Sequence, residues 1–141
     1  MNAARHFAII LGLVLPALSP AQESALPLAK TEGSVTYVTG GIGSDEALAL
    51  KQEQKNYPLS MVFSSGKRGA YVTDVHVTVR DAGGKVLLDS SSVGPILLVR
   101  LPPGEYRVSA ALRGETKHSS VKVPDKGTGS LSFNWPSTDP Y

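Results

Sequence analysis

The sequence predicts a mainly β protein: a single Greek-key-type β-sandwich of about seven strands, with one helix ahead of it. Three observations carry this. Short stretches alternate apolar and polar residues at a spacing of about 8–12 residues, Gly- and Pro-rich turns separate them, and only one segment of the mature chain has a helical pattern.

Residues 1–21 read as a secretory signal peptide. Arg5 is the positive start, Phe7–Leu15 is the apolar stretch, Pro16 breaks it, and Ser19 and Ala21 are the small residues of a cleavage site. This apolar stretch is too short to span a hydrocarbon core, which takes about 20 residues. The expectation is a mature chain beginning at Gln22, periplasmic or secreted. The chain has no cysteine, which excludes disulfides and an acylated N-terminal cysteine, so no membrane anchor is expected in the mature form.

Residues 22–33 mix Ala, Pro, Ser and Glu without periodicity and read as a flexible leader. Residues 34–57 read as an N-terminal extension of one strand and one helix. Ser34–Thr39 alternates β-branched and aromatic residues; Gly40-Gly41-Ile42-Gly43 breaks the strand. The helix starts with Ser44 or Asp45 as N-cap, gains from acidic residues in its first turn and runs to about Asn56. Ala47, Leu48, Leu50 and Tyr57 lie near one face, expected to be buried, and Lys51, Glu53 and Lys55 on the wet one.

The sandwich is expected over residues 58–136, with 137–141 as a tail. Leu59–Phe63 is its first strand. Val75, Val77 and Val79 alternate with polar residues in the second, and Asp81–Lys85 reverses the chain into Val86–Asp89. Ile96–Leu101 is nearly all apolar, as suits a central strand. Pro102-Pro103-Gly104 suits a type II turn, with Gly104 at positive φ. Tyr106, Val108, Ala110 and Leu112 share one side of the next strand. Gly114-Glu115 fits a II′ hairpin into Thr116–Val123, with Val121 and Val123 inward. Leu131, Phe133 and Trp135 mark the last strand.

Val75-x-Val77-x-Val79-x-Asp81, Gly83 or Gly84, Leu101-Pro102-Pro103-Gly104-Glu105-Tyr106 and Val108 together resemble a carboxypeptidase regulatory-like domain over about Leu59 to Trp135. That resemblance implies a transthyretin-like or carbohydrate-binding-like sandwich. Tyr37–Gly43 with its acidic helix start resembles small uncharacterised periplasmic proteins of Gram-negative bacteria. Neither resemblance implies a catalytic residue.

Charge narrows the function further. Fourteen basic residues less Arg5 leave thirteen against twelve acidic ones, about +1 and spread along the chain, which gives no footprint for nucleic acid. Gly40–Gly43 precedes a helix, but no Lys-Ser/Thr pair follows and Asp45 and Glu46 would repel phosphate, so nucleotide binding is rejected. His76 and His118 fall on predicted solvent faces of strands. With Asp74 they could hold zinc or copper only weakly, so no metal or cofactor is expected. Ser64-Ser65 and Ser90-Ser91-Ser92 lie in no nucleophile elbow. Asp74, Asp81, Asp89 and Glu105 read as turn and strand-edge residues, so no enzyme is expected. Lys67-Arg68 reads as a solvated turn. Tyr57, Tyr71 and Trp135 could stack on a sugar, although periodicity places Trp135 in the core. Tyr106 is expected buried, its hydroxyl bonded to backbone, and Pro102, Pro103, Gly104 and Tyr106 together form a structural turn. The function expected is a non-catalytic exported binding or accessory module, its partner an envelope protein or a glycan. The alternative is a carbohydrate-binding module.

Overall fold

Among the described residues, two β-sheets pack face to face, and the one α-helix lies against the outside of one of them. The computed structural model describes residues 25–137 together with Gly12 and Val14. The signal peptide, its cleavage site and the end of the tail lie outside the described residues.

The elements are β1 (Lys30–Glu32), β2 (Val35–Gly40), α1 (Ser44–Glu53) with a 3-10 turn at Gln54–Asn56, β3 (Leu59–Ser65), β4 (Ala70–Tyr71), β5 (Val75–Asp81), β6 (Val86–Val93), β7 (Ile96–Arg100), β8 (Gly104–Leu112), β9 (Glu115–Val123) and β10 (Gly129–Trp135). The first sheet runs β1-β2-β7-β3-β10 with β4 added to β3. The second runs β6-β5-β8-β9. All neighbours are antiparallel except β3 and β10, which pair in parallel from Leu59↔Gly129 to Ser65↔Trp135.

The described residues hold ten strands rather than about seven. The three additional ones are β1, β2 and β4. β1 lies in the stretch expected as leader, and β4 has two residues; neither buries a side chain, so neither leaves a hydrophobic pattern. β2 was expected in the extension, but it is hydrogen-bonded into the six-stranded sheet between β1 and β7. β6 extends past Asp89 to Val93: Ser90 opposes Val77 and Val93 opposes Val75, with a register shift between the two pairs.

Alternation explains which side chains meet. Val75, Val77 and Val79 of β5, Val108 and Ala110 of β8, and Met61 and Phe63 of β3 point between the sheets into one core with Leu88, Leu97 and Val99. β7 is apolar on both faces because both are covered: Leu97 and Val99 face that core, while Ile96 and Leu98 face α1. Ala47 and Leu50 of α1, with Tyr57 and Val38, complete this second cluster. Leu48 is 57% exposed rather than buried, since it sits on the solvent side of the short helix.

The helix start also differs from expectation. Gly43 (φ 87°) is the N-cap and no side chain caps the helix. Instead the Glu46 carboxylate reaches back and accepts the N–H of Gly41 at 2.8 Å. The Gly40–Gly43 amide that an anion would seek is thereby taken by the protein's own carboxylate.

Candidate functional site

Among the described residues, one large sheet surface is left open. On the six-stranded sheet, α1 covers Val38, Ile96 and Leu98. No described element covers the outer face of the four-stranded sheet in this way, and its side chains follow from the pleat. β5 presents His76, Thr78 and Arg80, β8 presents Glu105, Arg107 and Ser109, and β9 presents His118, Ser120 and Lys122. Register sets them in rows: Arg80 opposite Arg107 and then Ser120, Thr78 opposite Ser109 and then His118.

The edges of this sheet are partly occupied. The Asp89 N–H of β6 donates to the Glu32 carboxylate at 2.9 Å. At the other side the Trp135 indole N–H donates to the Glu115 carbonyl of β9 at 3.1 Å. Side chains of the six-stranded sheet thus hold backbone groups that an added strand would need.

The two histidines are not on adjacent strands. β8 lies between them, separating their backbones by about 9–10 Å across the sheet, and their register positions are two residues apart. His76 instead contacts Asp89 through Nε2, with both side chains about half exposed. His118 shares a hydrogen bond of 2.9 Å with Ser109 through Nδ1. Asp74 sits outside the ladder in a left-handed conformation (φ 57°), its carboxylate 3.5 Å from the Thr73 hydroxyl. Among the described residues, no group of three His, Cys, Asp or Glu has metal-binding geometry.

The aromatic candidates separate. Trp135 and Tyr57 are buried at 2% and 7% exposure, while Tyr71 is 40% exposed with Lys51 over its ring at 5.6 Å. These three do not form a flat sugar platform. Lys67 and Arg68 lie exposed in the β3–β4 turn. Ser64 is buried and accepts a hydrogen bond from Asn134 at 3.0 Å. Ser90–Ser92 belong to β6.

The Pro102-Pro103-Gly104 turn packs around Tyr106, whose hydroxyl donates to the Pro102 carbonyl at 2.6 Å. Gly104 has φ 153°, so the turn is not the type II form expected: Gly104 is already the first residue of β8 and pairs with Val123. That φ is still one that L side chains rarely adopt. A Cβ here would meet only Tyr106 ring and hydroxyl atoms at 3.9 Å, an ordinary contact. The penalty is therefore conformational, about 1–3 kcal/mol, and Gly104→Ala should lose nearly as much as Gly104→Val in urea denaturation. Unchanged midpoints would show that the backbone tolerates a side chain there.

The Tyr106 hydroxyl titrates above its ordinary value, first through burial and second through the negative charge of Asp81. The unfolded chain, with tyrosine near 10, loses this proton first as pH rises. Stability from Tyr106 is then intact below about pH 10 and lost as pH climbs through the raised native value. Tyr106→Phe should lower stability by about 0.5–1.5 kcal/mol at neutral pH and flatten the decline above pH 10. Urea midpoints between pH 8 and 11 test this; an alkaline limb unchanged in the variant would assign it to other groups.

Neither a protein-family model nor a curated protein matches the chain. The site therefore rests on its geometry.

The hairpin that brings His118 beside Ser109 is a two-residue turn at Arg113-Gly114, both at positive φ (49° and 81°), between Leu112 and Glu115. This is type I′ rather than the II′ turn at Gly114-Glu115, and it matches the strand twist better. The turn sets the register of β9. The opposition of Arg80 to Arg107, and the contact of His76 with Asp89, escaped the sequence reading. Alternation placed these side chains outward, but only register says which ones are neighbours.

Proposed function

We propose that the chain is a non-catalytic binding or accessory module of the cell envelope, exported to the periplasm, that engages its partner through the open face of β6-β5-β8-β9. The observation that carries this reading is the asymmetry of cover among the described residues: α1 shields one sheet, while the other offers a polar surface of outward side chains from β5, β8 and β9. The side chains on the β6 and β9 edges favour the face over strand addition. The resemblance to carboxypeptidase regulatory-like domains supports a Greek-key sandwich of that kind, and by itself it suggests the carbohydrate-binding alternative. An envelope protein or a charged envelope component suits the polar face better than a stacked sugar does, because Tyr57 and Trp135 are buried.

Affinity capture from envelope extract tests the reading when done with face variants. Ser109→Glu combined with Thr116→Glu should lose what the parent retains, whereas Lys55→Gln near the end of α1 should keep it. Equal retention by all three would remove the face from consideration. Export makes a separate expectation: intact mass of the periplasmic protein should correspond to a chain starting at Gln22, and a chain retaining Met1–Ala21 would overturn it.

A further inference from the structure

We infer that Arg80 and Arg107 form a binding site for a phosphate-monoester dianion on the open face. This rests on the reading of that face as the binding surface and names the chemistry of its ligand.

The two arginines are directly opposite in the β5–β8 ladder. Such pairs hold their Cβ atoms about 4.5–5.5 Å apart, and like charges in this position repel. Among the described residues, no carboxylate lies within ion-pairing distance of either guanidinium. The nearby acids have other positions or partners. Asp89 contacts His76 and lies 3.5 Å from the Thr78 hydroxyl. The Asp81 carboxylate accepts the Lys85 N–H in the turn at 2.9 Å. Glu105, two residues along β8 from Arg107, is opposite Lys122.

Arg80, Arg107, Ser109, His118 and Ser120 line one shallow groove. Two guanidiniums present planar forks of N–H donors that fit oxyanions in bidentate fashion. The Ser120 hydroxyl adds a donor at the rim. The hydrogen bond between Ser109 and His118 Nδ1 leaves the ring's Nε2 as a further polar atom beside the groove. A dianion neutralises both arginines and cancels their repulsion, which a monovalent carboxylate does only by half.

Two consequences of opposite sign follow. Without ligand, Arg80→Gln or Arg107→Gln removes a repulsion, so melting temperature should stay level or rise. With inorganic phosphate titrated at constant ionic strength against chloride, the parent should bind saturably and its melting temperature should rise by mass action. Each variant should bind at least about tenfold more weakly, as loss of a charged hydrogen-bonding partner implies. Arg80→Lys should also weaken binding, because it keeps charge but loses the fork. Lys55→Gln should stay within about twofold of the parent.

Sedimentation with phosphatidylcholine vesicles containing either phosphatidic acid, a monoester, or phosphatidylglycerol, a diester, separates a lipid headgroup from free phosphate. Arginine-dependent retention by phosphatidic acid alone would place the dianion on a lipid. Phosphate stabilising the Arg80→Gln/Arg107→Gln protein as much as the parent would overturn the site. So would arginine-independent retention on both vesicle types, or no response to phosphate and no retention on either. In those cases capture with the Ser109 and Thr116 variants still decides whether the face binds anything else.

Discussion

Trp135→Ala is expected to lose about 3–5 kcal/mol of folding stability, the usual range for removing a large buried aromatic. That is a large share of the 5–15 kcal/mol that holds a typical domain together. The indole is 2% exposed and stacks against Phe63 and Phe133, with ring centroids 6.3 and 6.2 Å away. The two phenylalanines stack on each other at 5.6 Å. Deleting the ring opens a cavity where β3 and β10 meet, and also removes the bond from the indole N–H to the Glu115 carbonyl, which links the two sheets. Urea denaturation followed by circular dichroism measures the loss. A cost under about 1 kcal/mol would place the ring at the surface. Because Trp135 is the only tryptophan, the parent's fluorescence gives a second check. Its emission should be blue-shifted and unmoved by oligosaccharides.

Leu50→Ala should cost about 2–5 kcal/mol by the same reasoning, with a different structural consequence. Leu50 is fully buried against Val38, Tyr57, Ile96 and Leu98, and it is the largest side chain that α1 contributes to this cluster. A ten-residue helix is marginal on its own, so α1 persists because this contact holds it to the sheet. Weakening the contact should let α1 open before the sandwich does. Hydrogen exchange should then speed up in residues 44–53 at urea concentrations where Trp135 emission is still native. A loss below 1 kcal/mol, or α1 amides as slow as in the parent, would show that the helix is held by something else.

Much of the fold was legible because burial writes a period into a strand. Val75, Val77 and Val79 announced a core face, and all three are fully buried. The apolar run at Ile96–Leu101 announced a central strand, and β7 is covered on both sides. Illegible elements were those that bury nothing: β1 and β4 exist through backbone pairing at a sheet edge, to which any exposed sequence can contribute. The N-cap was misread because Ser44 has the right chemistry, but Glu46 satisfies the Gly41 amide from a turn further on. The candidate site was half legible. Alternation put Arg80, Arg107, His76 and His118 outward, and the turns joined β5 to β6 and β8 to β9, but nothing local told that β5 pairs with β8.

The sequence by itself determined the mainly β sandwich, the alternation of its long strands, the helix and where the chain turns, because these depend on side chains within a few residues of one another. Tertiary structure alone decided the parallel pairing of β3 with β10, the placement of β8 between the two histidines and the opposition of Arg80 to Arg107. Each joins residues between 27 and 70 positions apart, where local propensity carries no information. Their partners are set by which sheet faces must be buried together, and a shift of one residue in register would turn every side chain of a strand to the opposite face.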